Sequence, residues 1–415
     1  MTTMITRQTV MNPRLMAVLL LGFSSGLPLA LTSSTLQAWF TEANVSLAAV
    51  GALSLVGIPY TLKFIWAPLM DYIHVPWVGM RKGWILLSQL GLVAALVLLA
   101  QCHPDQAPKV MYCLALLIAF LSASQDVAID AYRTDVLKAE ERGIGTSYYV
   151  FSYRIALLVS GGLALILADY FGWQVTYMAM AGFLSLSLLP AYYAPSVNEE
   201  SRAPGNLLKN TGAGLADLFK RDKIIIILLF LIFYKVGDAL ALQLMTNFLL
   251  HGLGFTLTEV GFAYKMVSFL ATILGAFVGG LILTQWSVYR GLWVFGLAQA
   301  FSNFMFVILA MVGKHFSLMA LSIFIENFCS GMSTAALIAF MMSLCNRQFT
   351  ATQFALLSAI TSLGRVFLGP VAAVIVSQIG WVSFYAWAVV LSFPGLIFLL
   401  LLKDEVSAYA HVAAD

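Results

Sequence analysis

The sequence predicts an all-α membrane protein, with twelve transmembrane helices arranged as two six-helix bundles. Three observations carry this: an apolar composition, twelve apolar stretches of spanning length, and basic residues confined almost wholly to one side. Of 415 residues, 61% are apolar and 10% are Asp, Glu, Lys or Arg. A soluble domain has about 45–50% and about 25% of these classes. Too few polar groups are present to cover a water-facing surface, which excludes a soluble enzyme, a nucleic-acid binder and a disordered scaffold. A porin-type barrel is excluded too, because its lumen-facing residues are polar at every second position.

A span needs about 20 mostly apolar residues. In chain order the stretches are Leu15–Phe40, Leu47–Ala67, Trp84–Gln101, Met111–Asp130, Thr146–Asp169 and Gln174–Ala194. After a polar segment come Ile224–Leu250, Leu257–Ile282, Leu292–Met311, Phe316–Leu344, Thr352–Val376 and Trp381–Leu402. The expected organisation is a first bundle over 1–194, a linker over 195–223 and a second bundle over 224–415. With the N-terminus inside, the inner side holds Arg7, Arg14, Arg81, Lys82, Arg133, Lys138, Arg142, Arg202, Lys209, Lys220, Arg221, Lys223, Arg290, Arg347 and Lys403, and the outer side only Lys109 and Lys314. The positive-inside rule then places both termini in the cytoplasm. Six plus six spans around a basic inner linker is the organisation of major facilitator transporters.

Chemistry-bearing motifs are sparse. Cys102, Cys113, Cys329 and Cys345 are far apart, and no HExxH, Walker or GxGxxG sequence occurs. The expectation is therefore a protein that is not an enzyme and has no cofactor and no metal. Information concentrates in the polar residues of the spans, where charge is costly and usually functional. Asp126 and Asp130 on span four are four apart and share a helix face. Two close carboxylates can share a proton, or Arg133 and Arg142 can clasp them structurally. Span seven carries Tyr234, Lys235, Asp238, Gln243, Thr246 and Asn247. Lys235 sits near mid-membrane, one turn from Asp238, where an anionic substrate would give it a purpose. Arg154 beside Tyr153 is a second anion candidate, and Glu326 on span ten has no basic residue close in sequence. Ser33 and Gln37 on span one share a face that can bind a ligand or fasten helices. Gly275 and Gly279, with Ala271, form a small-residue face read as helix packing, and Pro28 and Pro59 can bend their spans.

After span two, Trp66-Ala-Pro68-Leu-Met-Asp71 leads to Arg81-Lys82-Gly83-Trp84. This resembles the facilitator-superfamily loop in which an aspartate and a basic cluster tether neighbouring helices, with an insertion over Tyr72–Met80. The resemblance implies a gating contact for Asp71, Arg81 and Lys82. A more specific likeness covers most of the chain. Gly22-Phe-Ser-Ser-Gly-Leu-Pro through Gln37-Ala-Trp39, Lys63 to Asp71, Ala123-Ser-Gln125-Asp126 through Asp130, Arg133 to Gly143, and Tyr153-Arg154 resemble the AmpG-type muropeptide permeases of Gram-negative bacteria. The eukaryotic acetyl-CoA transporters are similar around Gln125 to Asp130, which leaves a symporter for another large anionic metabolite, such as an acyl-CoA-like compound, as the alternative.

The resemblance implies proton-coupled import of N-acetylglucosaminyl-1,6-anhydro-N-acetylmuramic acid, with or without a stem peptide, from periplasm to cytoplasm. It implies a multi-pass monomer in the lipid of the inner membrane, alternating access, peptidoglycan recycling and, in many species, a link to beta-lactamase induction. Asp126, Asp130, Asp238 and Glu326 are then the proton-coupling candidates. Lys235 and Arg154 suit the muramyl or peptide carboxylates, while Ser33, Gln37, Gln125, Tyr234 and Asn247 are further substrate candidates.

Overall fold

The computed structural model describes residues 12–70, 79–138, 141–196, 216–345 and 350–406. Among these, every regular element is helical. Among the described residues, nine helices are long and apolar enough to cross a membrane. Two of the nine, Tyr148–Tyr193 and Leu356–Leu401, run to 46 residues, about 69 Å at 1.5 Å per residue and roughly twice the hydrocarbon thickness. Each is interrupted by a glycine in the left-handed region, Gly172 at φ 79° and Gly380 at φ 74°. These glycines fall where the sequence reading ends one span and begins the next.

The described residues divide into two compact units, 12–45 with 56–196 and 46–55 with 216–406. In the first unit we label α1 (Pro13–Thr32), α2 (Ser34–Glu42), α3 (Met80–Ala100), α4 (Pro108–Val136), α5 (Arg142–Leu158) and α6 (Ala164–Leu186). Asn12 caps α1 through the Arg14 amide, and Pro13 starts it. The α1–α2 break falls at Ser33, one turn after Pro28. Span two is a series of short pieces: Leu47–Ala52, Leu53–Gly57, Ile58–Leu62, Lys63–Ile65 and Ala67–Met70. Pro59 and Pro68, which lack an amide donor, stand at the starts of two of these pieces. Gly22 and Gly26 bring α1 onto α5, since a Cβ on Gly26 would lie 2.5 Å from the Tyr153 carbonyl oxygen.

The second unit contains α7 (Ile224–Gln243), α8 (Ser268–Leu283), α9 (Val288–Ser302), α10 (Phe304–Val312), α11 (Phe316–Leu344), α12 (Thr350–Val390) and α13 (Phe393–Leu401). Phe230, Leu292, Phe295, Phe340 and Leu399 form its apolar core. The face of Gly275 and Gly279 is a packing seam. A Cβ on Gly275 would meet the Phe328 carbonyl oxygen at 2.0 Å, and one on Gly331 the Thr272 carbonyl oxygen at 2.4 Å. That approach places Asn327 of α11 against α8, where Thr272 Oγ1 donates to its Oδ1 at 3.3 Å. Leu47–Ala52 lies in this unit against α12, where Ser54 Oγ donates to the Val366 carbonyl at 2.8 Å.

Polarity is inverted relative to a soluble core. Gln89, Gln125, Gln299 and Glu326 are buried, whereas Phe277 and Ile273 are exposed on the outside of α8. Lipid is the environment in which that distribution is stable.

Candidate functional site

The second unit assembles a charged cluster from three helices. Lys235 and Asp238 share one face of α7, with Nζ 3.6 Å from Asp238 Oδ2. Nζ also donates to Ser333 Oγ on α11 at 2.9 Å. Gln299 on α9 completes the arrangement. Its Nε2 lies 3.0 Å from Asp238 Oδ1 and 3.4 Å from Glu326 Oε1, so one amide faces both carboxyl groups. Its Oε1 accepts from Ser333 Oγ at 3.3 Å. Ser330 Oγ donates to Asp238 Oδ2 at 3.2 Å, and Asn327 Nδ2 donates to Glu326 Oε2 at 2.7 Å. Glu326 is 0% exposed.

One cation and two carboxyl groups in an apolar interior cannot all be charged cheaply, because each uncompensated ion costs several kcal/mol. The arrangement is electrically balanced when the two acids hold one proton between them. A change of one proton or one anion at this point therefore alters the stability of the whole cluster.

The first unit holds a smaller site. Ser25 Oγ donates to Asp126 Oδ1, and Tyr149 OH lies 2.8 Å from the same hydroxyl. Gln89 Nε2 and Gln125 Nε2 both donate to Ser24 Oγ, at 3.2 and 3.0 Å. Asp130 lies at the edge of this site, half-buried. It points to the surface and pairs with Arg133 at 3.2 Å, while the Arg133 guanidinium sits 4.4 Å above the Tyr149 ring.

The remaining expected site residues scatter. Arg154 and Ser33 are exposed, and Ser33 Oγ donates to the Leu29 carbonyl. Gln37 and Asn247 are buried. Tyr234 lies in the apolar core with its hydroxyl donated to the Leu292 carbonyl at 3.0 Å, and Gln125 is committed to Ser24. Asp71 lies outside the described residues. Arg81 Nε stands 3.5 Å from Asp135 Oδ2, and Lys82 Nζ donates to the Ala194 carbonyl at 2.8 Å. Beside them Arg14 and Asn12 share Glu141 Oε1. Helix ends of the first unit are thereby tied together at its basic end.

Sequence reasoning missed Gln299, Ser330, Ser333, Ser25 and Tyr149 as site members. Ser330 and Ser333 continue the helical stripe that begins at Glu326, and Gln299 is one of two amides, with Asn303, in a largely apolar span.

Comparison with known proteins decides the family. Residues 18–352 match the Major Facilitator Superfamily model. The chain is 46% identical over 394 residues to the anhydromuropeptide permease of Escherichia coli K12, covering 95% of this chain and 80% of the relative. The chain belongs to the AmpG-type permease family of the major facilitator superfamily. This permease is also 32% identical to the putative transporter AmpG 4 of Rickettsia conorii, covering 95% of this chain and 97% of that one. Its fold matches the nucleoside transporter NupG, with a TM-score of 0.72 at 15% identity over 94% of this permease and 99% of that chain. A POT-family transporter matches with a TM-score of 0.72 at 11% identity, over 94% and 96% of the two chains.

Proposed function

We propose that this permease imports N-acetylglucosaminyl-1,6-anhydro-N-acetylmuramyl peptides, and the peptide-free disaccharide, from periplasm to cytoplasm in symport with a proton, by alternating access. The cargo reading rests on the 46% identity to the Escherichia coli anhydromuropeptide permease. Proton coupling rests on the Lys235–Asp238–Glu326 cluster and the amide of Gln299 that faces both acids.

The chemistry follows from charge balance. In the resting cluster Lys235 is held by Asp238 and Ser333. A carboxylate on the muramyl lactyl group or stem peptide competes with Asp238 for the ammonium. Its arrival strands a second negative charge unless the acid pair takes up a proton. With this second proton on the Asp238–Glu326 pair both acids are neutral, so Lys235 is free to hold the cargo anion and the site is neutral again. Loss of the proton on the cytoplasmic side returns Asp238 to Lys235 and expels the anion. Asp126, bonded to Ser25, is the protonatable group of the first bundle.

The cargo is tested by uptake of labelled anhydromuropeptide into proteoliposomes containing the purified permease. Uptake is expected to be competed by the unlabelled disaccharide. Absence of uptake would remove the cargo assignment.

A further inference from the structure

Span nine is divided at Asn303, whose backbone stays helical at φ −61° and ψ −21°. Asn303 stands between the end of α9 at Ser302 and the start of α10 at Phe304. It is 0% exposed, and neither its Nδ2 nor its Oδ1 has a hydrogen-bond partner in the protein. Burying an amide without partners costs about 1–3 kcal/mol in proteins. An apolar residue at this position would avoid that cost.

The position of Asn303 relative to the acid pair suggests its use. It follows Gln299 by four residues, so it lies on the same helix face about 6 Å further along. Gln299 is the amide that faces Asp238 and Glu326. On α11, Ser322 precedes Glu326 by four residues and is one turn from it in the same direction, because α10 and α11 meet antiparallel. Ser322 Oγ lies 3.3 Å from the Met305 carbonyl and donates to the Leu318 carbonyl at 2.7 Å, so the two helices touch at the level of Asn303. Both polar positions lie on the side of the acids remote from the basic loops. Lys235, Ser330 and Ser333 contact the cluster from other directions. The surroundings of Asn303 are otherwise apolar: Phe306, Leu309, Met319 and Ile323 are fully buried.

We infer that Asn303 orients a buried water between α9–α10 and α11, and that this water passes protons to Glu326 from the periplasmic side by a route separate from the cargo. The inference rests on the symport reading. The amide donates through Nδ2 and accepts through Oδ1 and carries no proton itself. A hydronium arriving at this point gives one proton to the Glu326 carboxylate, leaving water and a carboxylic acid. Ser322 lines the route one turn nearer the acid pair than the outer surface. A polar station here gives Glu326 access to the outside without opening the side on which Lys235 holds an anion.

The test uses the full chain in liposomes loaded with a pH-sensitive dye. Asn303→Leu has the same number of side-chain heavy atoms and no hydrogen-bonding group. Substrate-dependent proton influx is expected to fall about tenfold, which is about 1.4 kcal/mol in barrier. The solvent deuterium isotope effect on uptake should rise, because proton delivery becomes the slow step. Anhydromuropeptide binding to the detergent-solubilised variant should stay within about twofold, because Asn303 touches no proposed cargo contact. Proton influx within about twofold of the parent, with an unchanged isotope effect, would overturn the inference. Should Asn303→Leu not fold, Ser322→Ala takes its place with the same readouts and the same direction, and unchanged influx overturns the inference equally. If the parent itself shows no substrate-dependent proton influx, the symport reading fails and the inference falls with it. That outcome is distinct from a coupled parent with an unaffected variant.

Discussion

Replacing Lys235 by Met removes the cation from a cluster that otherwise contains two acids. Nζ is 3.6 Å from Asp238 Oδ2, and the two side chains are only 15% and 11% exposed. At an effective dielectric constant of about 20, the attraction at that separation is about 4–5 kcal/mol. Stranding one partner of a buried pair costs about 3–5 kcal/mol. Asp238→Asn strands Lys235 in the same way, with Ser333 as the remaining close contact. In the double variant neither charge is stranded, so most of the loss should be recovered. The expected coupling is about 2–3 kcal/mol. It is measured by unfolding the parent, both single variants and the double variant in detergent, followed by tryptophan fluorescence. Additive losses, within about 0.5 kcal/mol, would refute the view that the pair acts as a unit. The proposed competition between cargo and Asp238 for the ammonium would fall with it.

Three further outcomes are expected. Glu326→Gln keeps one carbonyl acceptor for the amides of Gln299 and Asn327 but cannot change charge, so cargo exchange should persist while gradient-driven accumulation is lost; accumulation at the parental level would exclude Glu326 as the carrier. Gly275→Leu forces a side chain into the Phe328 backbone, at an expected cost of about 1–3 kcal/mol or more, whereas a Cβ at nearby Gly280 meets nothing within 4 Å. Melting curves should therefore separate Gly275→Leu from Gly280→Leu, and equal curves would contradict the packing seam. Trp173→Phe deletes the indole donor that lies 2.5 Å from Glu42 Oε2; a loss of about 1–3 kcal/mol in unfolding free energy is expected, relieved when Glu42 is also replaced by Leu.

The fold was legible because the bilayer imposes simple rules. Apolar runs of spanning length and sided basic residues are one-dimensional signals, and even the boundaries at Gly172 and Gly380 are visible as turns between runs. The glycine seam of α8 was legible for the same reason, since small residues at four-residue spacing define a face. The site was only partly legible. Lys235 and Asp238 are neighbours on one helix, so spacing pairs them. Glu326 joins them through Gln299 of a third helix, and no spacing rule connects residues 238, 299 and 326. Asp126 and Asp130 show the reverse case. Their spacing places them on one face, yet the first reaches Ser25 in the bundle interior and the second reaches Arg133 at its edge. A helix of polar face can end in lipid, protein or water along its length, and sequence spacing does not distinguish these.

The central claim is that one proton accompanies the cargo inward. Its most direct test is the steady-state accumulation of labelled anhydromuropeptide in proteoliposomes under an imposed pH gradient, acidic outside, with the membrane potential clamped at zero. One pH unit is worth about 1.4 kcal/mol per proton. Coupling to one proton therefore predicts accumulation of a neutral-equivalent cargo to about tenfold over the outside, collapsing to equality when a protonophore is added. Equal concentrations inside and outside under the intact gradient, with uptake otherwise normal, would contradict the account.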